Sequence, residues 1–300
     1  MSDQEQLQWE ARYGRPAAIA AFAAGFLLLA GTFALQSIFE DRPRVEALPD
    51  FLLSAHDSPE TLILSSALQA ASALCLIAVF YYLFRAIIHR SPQVPKWFVY
   101  LILAGPVFYA VSQVVGAIDR VDVADTFAAR SSDAGKFCPA IFGNRGDECA
   151  QDLLSDDVSP ILVGLSLAGS VATAFLFVML PLRARRAGLM SQFMAILGVI
   201  AGALMVLRLV PLVPEIVQAF WLGAVGAMFL SIWPGGRGPA WETGLSDPWP
   251  SSAERRGLVT AGAGSDNGGG GSSAEPAGTP PEPEPNPQRP SSRKRRRKRR

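Results

Sequence analysis

Six stretches of this chain are apolar over roughly twenty residues each, the length a helix needs to cross about 30 Å of hydrocarbon. They run over 17–38, 62–84, 97–118, 158–182, 189–210 and 215–233. One such stretch is compatible with a core helix of a soluble domain. Six of them, almost free of charge, are too much apolar surface for a soluble chain of 300 residues to cover. Half of all residues are hydrophobic and the mean hydropathy is +0.25, although the C-terminal portion is strongly polar. The expectation is an all-α membrane protein with six transmembrane helices. The first stretch, AAIAAFAAGFLLLAGTFAL, exceeds the apolar core of a secretory signal and lacks a small-residue cleavage pattern, so it reads as an uncleaved helix after a short segment, 1–16.

The formal net charge of +1 conceals a segregation. Setting aside the eight terminal bases leaves 19 basic residues against 26 acidic, a net of −7. Short loops rich in Lys and Arg stay on the cytoplasmic side of a membrane. Arg85, Arg90 and Lys96 lie between the second and third stretches, and Arg183, Arg185 and Arg186 between the fourth and fifth, with no acid in either loop. The intervening loops, 39–61 and 119–157, carry net charges of −4 and −5. The pattern predicts these two loops outside and both ends of the chain in the cytoplasm, in a cell (inner) membrane. Cys138 and Cys149 both fall in the longer outer loop, where an oxidising compartment would allow a disulfide; two free thiols are the alternative.

Helices in lipid associate through small residues rather than through hydrophobic exclusion. Gly198 and Gly202, Gly164 with Ala168 and Gly169, and the alanine face of the first stretch are suited to packing within one bundle or to a homodimer seam. Pro106 removes a backbone donor in the middle of the third stretch and predicts a kink. Tyr109 and Gln113 follow it, and Gln69 with Ser65 and Ser66 occupies the matching level of the second stretch. These groups form either interhelical hydrogen bonds or a shallow outward pocket. Arg208 is the clear ionisable residue within a stretch, and it can snorkel to the interface, pair with Glu215 across LVPLVPE, or bind an anion.

No catalytic constellation is legible. His56 and His89 belong to loops on opposite sides, GLSLAG lacks the glycine spacing of a nucleophile elbow, and no metalloprotease or phosphate-loop motif is present. The expectation is a protein without catalytic residues, cofactor or metal, acting as a scaffold or accessory protein, with a small-solute permease as the alternative.

After the last stretch the chain reads SIWPGGRGPAWETGLSDPWPS, and 234–250 is expected to lie in the headgroup region, where Trp233, Trp241 and Trp249 would anchor it. PGGRGPAWETG followed by PWP, together with the six apolar stretches and acidic outer loops, resembles uncharacterised six-span integral membrane proteins of actinobacterial type. The resemblance covers roughly residues 10 to 252 and implies architecture and compartment, with no activity to carry over. Residues 251–292 are rich in Gly, Ser, Pro and Glu and are expected to be a disordered cytoplasmic linker. The chain closes with Arg293, Lys294, Arg295, Arg296, Arg297, Lys298, Arg299 and Arg300. This run lies too far from the last span to set orientation and lacks aromatic residues for stacking on bases. Anionic lipid is the first expected partner, at about 1 kcal/mol per base near a charged leaflet; an acidic protein, an RNA or no partner are the alternatives.

Overall fold

A computed structural model describes residues 2–38, 48–91, 93–132, 150, 151, 153, 160–207, 212–234, 236–247 and 249. Among the described residues there is no strand. Four helices are long and apolar enough to cross a membrane: α1 (Asp3–Ser37), α3 (Pro59–Arg90), α4 (Phe98–Ser132) and α5 (Pro160–Arg186). Two apolar helices are shorter, α6 (Gln192–Leu207) with 16 residues and α7 (Val213–Phe229) with 17. A ten-residue helix, α2 (Leu48–Asp57), and a single turn, α8 (Ala240–Thr243), are also among the described residues.

Local chemistry accounts for several boundaries. Ser2 accepts from the Glu5 N–H and Glu5 accepts from the Ser2 N–H, a capping box that starts α1 well before its apolar part. Pro59 and Pro214 stand in the first turns of α3 and α7, where a missing N–H costs nothing. Pro106 lies inside α4, which runs unbroken past it. Residues 119–132, expected in a loop by hydropathy, extend α4, and α2 occupies part of the other loop expected to face outward, 39–61.

Each long helix packs antiparallel on the next, and α7 returns to α1, so the order α1, α3, α4, α5, α6, α7 closes into a ring. Small residues set the contacts. A Cβ on Gly31 would meet the Ser65 carbonyl at 2.8 Å, and one on Gly202 the Ala174 carbonyl at 2.7 Å. The ring has a near end, where α1 begins and α3 ends, and a far end, where α2 sits. Its near half is filled: Ala17, Ala18, Ala21 and Ala24 of α1 pack with Phe80, Phe177 and Trp221, whose rings meet edge to face. A separate apolar cluster at the far end joins Leu52 and Ala55 of α2 to Leu62, Val123, Ala124 and Phe127.

The outside of the ring is the reverse of a soluble surface. Phe26, Tyr100, Ile161, Leu167 and Phe220 project outward, with Ile161 79% and Phe26 73% exposed. Alanine and glycine inside with large apolar groups outside is the arrangement expected of helices solvated by lipid.

Candidate functional site

The near end is bound together by charge. Arg90, at the last turn of α3, donates from Nη1 to Glu10 Oε1 at 2.5 Å and from Nη2 to Glu10 Oε2 at 3.0 Å. Its remaining donors reach the Ala86 carbonyl at 3.0 Å and the Ala240 carbonyl at 3.0 and 2.6 Å. All five guanidinium N–H groups are therefore used. The two side chains are 0% and 3% exposed, and Gln6 Nε2 adds a bond to Glu10 at 2.9 Å. A buried pair this completely satisfied ties α1, α3 and the segment after α7 to one point.

Aromatic rings extend the tie. Trp9, Tyr82 and Trp241 stack at centroid distances of 5.5 and 5.8 Å, with Arg85 over Trp9 and both Arg90 and Arg237 over Trp241. Tyr82 donates to the Glu10 carbonyl at 3.0 Å, and Trp241 Nε1 donates to the Leu189 carbonyl at 2.9 Å. Trp241 was expected at a headgroup interface; instead it is 5% exposed, inserted among α1, α3 and the α5–α6 turn. Gly188, at φ +74, makes the turn possible, since any Cβ there would strike the Asp247 carbonyl. The segment 236–247 thus packs into the near end of the ring through Trp241.

The far half is polar. Gln113 Nε2 donates to Gln69 Oε1 at 2.6 Å and to Tyr109 Oη at 3.3 Å. These three residues, named together from sequence, line a partly open cavity of about 480 Å³ with Thr32, Ser65, Ser66, Phe51, Arg120 and Glu215. Pro106 is buried in α4 and does not line it. A second cavity, of about 370 Å³ between α4, α5 and α6, shares Gln113 and Arg120 and adds Ser112, Asp119, Ser166 and Ser170. Arg208, Cys138, Cys149 and the tail from Arg293 to Arg300 lie outside the described residues.

Arg120 and Glu215 are the charges that sequence reasoning did not assign to the pocket. Arg120 follows Gln113 by two helical turns, so both fall on one face of α4. That spacing was a readable signal once α4 is extended past Ile118. His56 pairs with Asp125 at 2.6 Å at the far end and His89 with Asp3 at 2.9 Å at the near end. Among the described residues, no three His, Cys, Asp or Glu groups cluster to hold a metal ion.

No family model matches this chain, and no curated protein or solved structure matches it.

Proposed function

We propose that this chain is a six-span integral protein of a bacterial cell membrane, of the actinobacterial type it resembles, serving as a non-enzymatic scaffold or accessory protein. The observation that carries the membrane reading is the ring itself, with glycine and alanine at its contacts and large apolar side chains on its outer face. Helices α6 and α7, at 1.5 Å per residue, are about 24 to 26 Å long, which a bilayer accommodates by local thinning. Arg12, Arg15, Arg85, Arg90, Lys96, Arg183, Arg185, Arg186 and Arg237 gather at the near end, and the positive-inside rule makes that end cytoplasmic.

A scaffold fits the filled near half better than a conduit does. Phe80, Phe177 and Trp221 occupy the ring interior, and the Glu10–Arg90–Trp241 cluster is buried at its near end. The eight terminal bases would then engage anionic lipid or a cytoplasmic partner. A small-solute permease is the second reading, favoured by the far-end cavity.

The test combines orientation with attachment. Single cysteines replacing Lys96 and Asp57, in a chain without its native cysteines, should react with an impermeant thiol reagent in intact cells only at position 57. Crosslinked material from the full chain, compared with a chain ending at Ser292, should lose a bound protein or anionic lipid. Labelling of position 96 in intact cells would refute the topology, and identical bound material would refute the role of the tail.

A further inference from the structure

The far-end cavity presents polar atoms that the fold leaves open. Gln113 donates Nε2 to Gln69 Oε1 at 2.6 Å and to Tyr109 Oη at 3.3 Å. A carboxamide has an accepting oxygen and a nitrogen with two donors, so the pair still holds the Gln69 N–H groups and the Gln113 oxygen in reserve. Among the described residues that are not exposed, the side-chain atoms both sealed from solvent and unpaired are Thr173 Oγ1, Glu215 Oε2 and Trp249 Nε1. Gln69 Nε2, Gln113 Oε1 and Ser66 Oγ make no further hydrogen bond among the described residues, yet they are not sealed, and all three residues line this cavity.

Gln69 and Ser66 are three residues apart on α3 and so share a helical face, with Gln113 opposite them on α4. Reversing both amides would exchange their roles and still leave one N–H group and one carbonyl open. The open valences are therefore an amide donor, an amide acceptor and a hydroxyl that serves as either. All of them are neutral. The charged side chains of the wall do not enter the match, since Arg120 already interacts within the chain and Glu215 Oε2 is shielded. Leu35 and Phe51 supply an apolar side.

We propose that this cavity binds a small neutral polyol, its hydroxyls bonded to Gln69, Gln113 and Ser66 and its carbon skeleton lying against Leu35 and Phe51. A hydroxyl donates and accepts at one atom, so it meets an amide N–H and a carbonyl alike. A carboxamide or urea divides those roles between two atoms and fits in one order only. A charged solute would exchange water for neutral dipoles, which repay its desolvation only in part. The volume of about 480 Å³ falls in the range of small-ligand sites. Binding here goes beyond a scaffold role and does not require that the solute cross the membrane.

The experiment uses the purified full-length chain in micelles of lauryldimethylamine oxide, a detergent without hydroxyl groups. Saturation-transfer NMR is recorded with glycerol, erythritol, xylitol and sorbitol as probes. At least one polyol should give a saturable signal that empty micelles lack. Gln69→Leu removes the open amide donor and should weaken that polyol by about tenfold, and Ser66→Ala, a smaller change, by about threefold. Thermal unfolding without ligand identifies the folded variants, and Ser66→Ala carries the test if Gln69→Leu does not fold. Urea, acetamide and the aldonate and amino forms of the bound polyol should each compete about tenfold less well. A signal no greater than that of empty micelles for every polyol overturns the proposal and leaves the cavity to water. So does unchanged binding by the folded variants, or equal competition by urea or by a charged form.

Discussion

Replacing Glu10 by Ala would leave the Arg90 guanidinium buried with the two donors that reach Oε1 and Oε2 unsatisfied. Breaking a buried pair by removing one partner costs about 3–5 kcal/mol, because the remaining charge has no compensation. Arg90→Met should cost a similar amount, since Glu10 would retain only the bond from Gln6. The double variant, Glu10→Met with Arg90→Met, removes both charges. It leaves the Ala240 carbonyl without Arg90 and should lose only about 1–3 kcal/mol. The three unfolding free energies, measured by denaturing-detergent titration in mixed micelles and followed by tryptophan fluorescence, form a double-mutant cycle. Strong non-additivity is the expected result. Single variants that each lose less than about 1 kcal/mol, or losses that simply add, would show that water reaches the pair and that it does not hold the near end together.

The other predictions use the same unfolding assay. Gly169→Ala places a Cβ 2.5 Å from the Tyr109 backbone nitrogen and 2.9 Å from its Cα, so α4 and α5 must separate, at about 1–3 kcal/mol. Gly164→Ala on the same helix meets nothing within 4 Å and should gain about 0.5–1 kcal/mol from helix propensity, so equal effects at the two positions would refute the packing. Trp241→Phe keeps a ring between the guanidinium groups but leaves the Leu189 carbonyl without its donor, at about 1–3 kcal/mol, whereas Trp241→Ala should lose about 3–5 kcal/mol. Limited proteolysis should cut the 236–247 segment in the alanine variant and spare it in the wild type.

The apolar stretches were legible because lipid imposes a local rule: enough consecutive nonpolar residues, read without reference to the rest of the chain. Gln69, Tyr109 and Gln113 were legible for a related reason, since a polar side chain inside such a stretch has few ways to be satisfied. The extension of α4 was hidden because residues 119–132 carry charges that hydropathy counts as loop. Their apolar members, Val123, Ala124 and Phe127, share a helical face that packs on α2. Arg90 and Trp241 were visible but read as an orientation-setting loop base and a headgroup anchor. A base near a helix end looks the same in sequence whether it meets water or Glu10, a partner separated by 80 residues.

Glu10 and Glu215 show how the two ends of the ring differ. Both are carboxylates with an oxygen withdrawn from water, one near the start of α1 and one in the first turn of α7. Glu10 is met by two guanidinium donors and an amide, and its side chain is 3% exposed. Its charge is complete within the fold and can contribute only to stability and to holding the 236–247 segment. Glu215 lines the far-end cavity, but its Oε2 is shielded from solvent and has no donor among the described residues. Burying a polar atom without a donor is unfavourable. The two carboxylates therefore differ in kind: one is a satisfied tie of the near end, and the other leaves the far end with a buried acceptor that no described residue matches.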